Sequence, residues 1–195
     1  MAIKTFTAGS VLTASDTNTF LANAGLVWLN TTTFSNEASK SIDNVFSSTY
    51  TNYRIVVQLY GQTNSNIVRM TLITTGGTER TAGYFGQAWG VDPSASTTLY
   101  TTGSSTANLP LGYAGNQSAT KFPLSAGVDV FNPISADTLT TIAGTFTGVN
   151  AGVVIFGGNV TGLYNSAEGH RGFWIRCSAN TGLYGTVSTY GYRIS

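Results

Sequence analysis

Two hydrophobic periods divide the chain. From Thr13 to Gly25 the spacing is helical: Thr13 can cap, Asp16 suits the positive end of a helix dipole, Phe20, Leu21 and Ala24 share one face, and Gly25 supplies a stop. A helix this short is unstable alone in water, so it needs a surface to cover its apolar face. After Gly25 the period becomes two. Tyr53, Ile55, Val57 and Leu59 fall on one side of a run, and Val68, Met70 and Leu72 on one side of the next. Further strands are predicted over 26–33, 41–46, 120–131, 138–147, 152–161, 172–178 and 184–194, punctuated by Gly, Asn and Ser. Pro123 lies inside one of these runs and predicts an edge strand or bulge there. The pattern therefore predicts an all-β fold, an antiparallel jelly-roll-like β-sandwich over residues 26–195 preceded by a short helical docking arm over residues 1–25.

Composition sharpens this picture through what is missing. Only 9% of the 195 residues are charged, while 42% are hydrophobic, so Thr, Ser, Asn and Gly occupy the positions where charge is usual. Low net charge and ordinary hydrophobicity argue against disorder. A net charge of +1 leaves no electrostatic footprint for nucleic acid. No apolar run reaches the roughly 20 residues of a membrane span, and the first residues lack a secretory apolar stretch. The expectation is synthesis in a cytoplasm, with no membrane insertion.

The N-terminal residues are more specific. Phe6-Thr7-Ala8-Gly9-Ser10-Val11-Leu12-Thr13-Ala14-Ser15-Asp16-Thr17-Asn18-Thr19-Phe20-Leu21 resembles the opening of minor tail proteins of tailed phages. Those begin with a Phe, a Gly-x-Val-Leu-Thr-Ala stretch, an Asp, and then Asn-Thr-aromatic-Leu. The runs Phe46 to Ile55 and Gly185 to Arg193 are similar to strands of β-rich phage virion domains, while 76–116 matches no known pattern. The resemblance implies a virion protein made in a bacterial cytoplasm, at the tail tip or on a fibre, with capsid decoration or a head fibre as the alternative. It also implies a trimer, other virion proteins as partners, and docking through Phe6, Val11, Leu12, Phe20 and Leu21. No catalytic residues come with it.

Candidate chemistry is sparse. The single Cys177 follows Phe173 and Ile175 at period two and reads as a core residue, and the single His170, in Glu168-Gly169-His170-Arg171, reads as a solvated turn. One His and one Cys set apart do not make a metal site, no cofactor loop occurs, and no Gly-x-Ser-x-Gly elbow marks a hydrolase. No cofactor, metal or enzymatic activity is expected. Tyr84-Phe85-Gly86-Gln87-Ala88-Trp89-Gly90, beside Asp92, carries three rings among amides, as sugar recognition would use. Tyr84, Phe85, Trp89 and Asp92 are thus candidate contacts to a host-surface glycan, and a stand-alone glycan-binding module is a further reading. The competing assignment of these rings is to core or subunit interface, which large aromatics dominate. Trp28 and Trp174 lie in strand patterns and are expected in core or interface as well.

Overall fold

The computed structural model describes residues 9, 11, 13, 25–62, 66–92, 97–115, 123–149, 155–178 and 181–192. Every regular element among them is a strand. In chain order these are β1 (Leu26–Glu37), β2 (Ser39–Ile42), β3 (Asn52–Gly61), β4 (Asn66–Thr74), β5 (Tyr84–Asp92) and β6 (Thr97–Thr106). They continue as β7 (Leu109–Ala114), β8 (Leu124–Phe131), β9 (Thr141–Val149), β10 (Ile155–Tyr164), β11 (His170–Cys177) and β12 (Leu183–Tyr192). An eight-stranded sheet has the order β1-β12-β3-β8-β9-β10-β5-β6, and a four-stranded sheet the order β2-β11-β4-β7. All the pairings are antiparallel. The helix expected near the N-terminus, with Phe6, Leu12, Phe20 and Leu21, lies outside the described residues. Val11 is described and is 83% exposed.

The period-two runs place their apolar residues inside. Tyr53, Ile55, Val57 and Leu59 of β3 and Val68, Met70 and Leu72 of β4 are all fully buried, and they meet in one core that draws on both sheets. Phe46, Tyr53 and Phe173 cluster in it, with Phe46 ring centroids 4.6 Å from Tyr53 and 5.7 Å from Phe173. Burying each such side chain contributes on the order of 1.5–3 kcal/mol. After β4 the chain folds back over the small sheet. Glu79 bridges to Ile73, accepts a hydrogen bond from Thr71 Oγ1 at 2.6 Å, and pairs with Arg176.

Three strands, β5, β6 and β7, occupy the stretch where no strand was predicted. Glycines on the inner face of the large sheet explain why. Gly86 and Gly162 are direct partners across β5 and β10, and a Cβ on either would come within 2.3 or 2.4 Å of the Leu109 side chain on β7. A Cβ at Gly148 would lie 2.2 Å from the Tyr113 carbonyl. Missing side chains let β7 lie close against β9, β10 and β5, and they also erase the hydrophobic alternation.

One expectation needs correction, and a second is narrowed. Pro123 marks neither an edge nor a bulge: it precedes β8, an interior strand between β3 and β9, so its missing N–H falls outside the ladder. Of the two places expected for Trp28, core or interface, the core is excluded, because Trp28 lies on the edge strand β1 and is 62% exposed, its indole N–H donating to Thr31 Oγ1 at 3.0 Å. Trp174 is half-buried beneath the Arg176 guanidinium, 5.0 Å from the ring centroid.

Candidate functional site

Strand β5 separates the candidate glycan contacts onto two faces. Tyr84 points into the core and is fully buried. Its hydroxyl accepts a hydrogen bond from the Leu72 amide at 2.7 Å and donates one to the Arg80 carbonyl at 3.0 Å, and burial pushes the phenol well above its ordinary pKa. Tyr84 thus ties the two sheets together and offers nothing to a ligand. Phe85 and Trp89 project from the opposite face, each 37% exposed. Asp92 ends β5 opposite Thr97, and its side chain lies outside the described residues.

The register fixes what surrounds the two rings. Phe85 is directly opposite Leu163 of β10, Gln87 opposite Thr161, and Trp89 opposite Asn159. Asn159 continues to Thr145 of β9, Thr145 to Gly127 of β8, and Gly127 to Val56 of β3. At about 4.8 Å per strand, this line from Trp89 to Val56 spans roughly 19 Å across the outer face. At its far end the bare backbone of Gly127 opens a shallow groove of about 270 Å³, lined among others by Arg54, Gln58, Ser125, Thr145 and Thr147. The four polar neighbours Gln58, Ser125, Thr145 and Thr147 are exposed. The fragment Tyr84 to Asp92 flagged by composition therefore contributes two rings and Gln87. The rest of the surface comes from strands distant in sequence, whose only signal was Thr, Ser and Asn at the outward positions of alternating runs.

Charge on this part of the face is internally cancelled. Arg54 Nη1 lies 3.2 and 3.3 Å from the Asp129 carboxylate oxygens, and the Tyr192 hydroxyl donates to Asp129 Oδ1 at 2.6 Å. Arg54 is held above its ordinary pKa, chiefly by its contact with the Tyr192 hydroxyl and also by Asp129. Burial raises the Tyr192 phenol. The arrangement suits a neutral ligand that exchanges hydrogen bonds with hydroxyls and amides and lays an apolar face on a ring.

The CBM2 module of the evolved Dit of Lactobacillus casei BL23 phage J-1 is a structural neighbour. Its TM-score is 0.25 at 12% identity, over 80% of this chain and 69% of that one, a likeness too distant to assign a function. No family model matches the sequence, and no curated protein matches it.

The second polar cluster lies among the loops that precede β5, β9 and β11. His170, expected in a solvated turn, instead opens β11 and is fully buried, its ring edge-on to Tyr164 at a centroid distance of 5.2 Å and its amide donating to the Pro133 carbonyl at 2.6 Å. Its Nδ1 is 3.1 Å from Thr140 Oγ1, and its Nε2 has no hydrogen-bond partner, standing 3.8 Å from Glu168 Oε1. Arg80 grips Glu168 through two bonds of 2.6 and 2.5 Å and holds that carboxyl below its usual range. Burial holds the imidazole below its ordinary pKa, and raises the neighbouring Tyr164 phenol to about 12. Cys177 is 4% exposed and belongs to the core, as its period indicated. Among the described residues no group of three or more His, Cys, Asp or Glu is placed to hold a metal ion, and no helix is long and apolar enough to cross a membrane.

Proposed function

We propose that this chain is a non-enzymatic structural component of a tailed-phage virion, a minor tail protein of the tip or fibre, that meets the host through the outer face of its eight-stranded sheet. The observation that carries the proposal is that face. It presents hydroxyls, amides and exposed rings with its one central ion pair neutralised, which suits contact with another surface. The Phe6 to Leu21 segment, similar to the opening of minor tail proteins, supports placement in a virion, with residues 4–24 as the attaching arm and other virion proteins as its partners.

The strand order supports a jelly-roll ancestry for the sandwich. With the β5–β6 and β9–β10 pairs set aside, the sheets read β1-β12-β3-β8 and β2-β11-β4-β7, the arrangement of an eight-stranded jelly roll. The four added strands widen one sheet, and they carry Phe85, Trp89 and Asn159. A homotrimer is the assembly we propose, closed by rotational symmetry as most homo-oligomers are.

Deleting residues 1–24 tests the attachment. The truncated chain should keep its melting temperature and oligomeric state and be missing from purified particles. Incorporation at normal copy number would refute the arm, and immunogold label on the head in place of the tail would move the protein to the capsid.

A further inference from the structure

We infer that the strip of outer sheet face running from Trp89 to the Gly127 groove is a binding site for a neutral oligosaccharide laid across the strands. The inference rests on the proposed outward exposure of this face and names what it recognises.

Three features converge. The first is the ring: Trp89 is held at one end by its place in β5, with the Asn159 amide directly beside it on β10. Sugars present apolar C–H faces bordered by hydroxyls, so an indole flanked by an amide matches both parts of the ligand. The second is the trough. Gly127 lacks a side chain between Val56 and Thr145, and the groove there is bordered by exposed hydroxyl and amide groups. A hydroxyl both donates and accepts, so Ser125, Thr145 and Thr147 can answer sugar hydroxyls of either polarity. The third is charge. Arg54 is engaged by Asp129 and Tyr192, which leaves a groove matched to an uncharged ligand over an anionic one.

A second protein copy fits less well. Pressing a dry protein surface onto Gln58, Ser125, Thr145 and Thr147 would leave their polar groups buried without partners. A saccharide's hydroxyls both donate and accept, so they can partner these groups.

The test uses the full chain and isothermal titration against a panel of neutral gluco-, manno- and galacto-oligosaccharides of four to six units, with sialylated and sulfated oligosaccharides as anionic counterparts. At least one neutral oligosaccharide should bind. Trp89→Ala and Gly127→Val should each weaken it roughly tenfold or more, about the loss of one good contact. Gly127→Val fills the trough and presses on the Arg54 guanidinium, which lies 2.8 Å from the new Cβ and is held by Asp129 and Tyr192, so an unchanged melting temperature is required before its binding is compared. If the melting temperature falls, Asn159→Ala serves in its place. Trp28→Ala, an exposed ring on the opposite edge of the sheet, should leave binding unchanged. The inference is overturned if no neutral oligosaccharide on the panel binds at millimolar concentration, if only the anionic ones bind, or if binding survives both Trp89→Ala and the groove variant. Concentration-dependent self-association abolished by Trp89→Ala, without sugar binding, would assign the strip to a subunit contact. Sugar binding by a chain absent from purified particles would leave this site standing and refute the virion reading.

Discussion

Replacing Tyr84 with Phe removes a single oxygen from the point where the two sheets are joined. That oxygen accepts from the Leu72 amide at 2.7 Å and donates to the Arg80 carbonyl at 3.0 Å, and both Tyr84 and Leu72 are fully buried. Water cannot readily replace it, so the Leu72 N–H loses its partner. A buried donor left unpaired costs about 1–3 kcal/mol, and the carbonyl, with a second lone pair to use, adds less. The ring itself stays, so no large cavity term enters. The expected loss is about 2–3 kcal/mol, which for a chain of this length lowers the melting temperature by roughly 5–10 °C. Urea unfolding followed by tryptophan fluorescence, at matched protomer concentration, measures it, with an unchanged dependence on urea confirming that the same surface unfolds. A loss below about 0.5 kcal/mol would refute the reasoning, because it would mean that the amide finds another partner at no penalty. The same variant should bind sugar as well as the native chain, since Tyr84 faces away from the strip.

Other outcomes follow from the same geometry. His170 has a depressed folded pKa, so the native state binds fewer protons than the unfolded chain. Its contribution to stability is complete above about pH 6.5 and declines as the pH falls below that value, a slope that should flatten in His170→Gln when melting is compared between neutral and mildly acidic buffer. Gly158→Ala would put a Cβ 1.8 Å from the Trp89 carbonyl and 2.5 Å from Gly90 Cα, so β5 and β10 must part; a destabilisation of about 1–3 kcal/mol or more is expected in chemical denaturation, and a neutral result would contradict the register. The Cys177 thiol, buried and 3.3 Å from Thr181 Oγ1, should react with a thiol reagent only at the rate of unfolding, whereas prompt labelling of the native chain would contradict its burial.

The all-β character, the faces of β3 and β4, and the core position of Cys177 were legible along the chain because each strand there is buried on one side and filled with large apolar residues. Period two then reports burial directly. In β5 the rule inverts. After Tyr84 its inner positions are the small Gly86, Ala88 and Gly90, with Gly86 bare where Leu109 of β7 approaches and Gly90 bare against β10, while Phe85 and Trp89 point outward. A hydrophobic pattern read from the chain alone cannot tell an outward ring from an inward one, so it leaves sugar contact and core open for all three rings, and only the structure sends Tyr84 to the core. The Pro123 and His170 expectations failed for a related reason, since only neighbours in space decide whether a missing N–H lies inside a ladder or whether a polar residue at a strand end is covered.

The candidate site shows the division most clearly. Alternation and turn chemistry determine that strands form and which side of most of them is wet, because these depend on residues two apart. Pairing of Trp89 with Asn159, of Thr145 with Gly127, and of Gly127 with Val56 joins positions 70, 18 and 71 residues apart. The sheet order makes those pairings, through close approach at Gly86, Gly148 and Gly162 and through the shared burial of the two inner faces. The chain alone determined what each strand could present outward; only the tertiary structure decided which of those groups would share a surface.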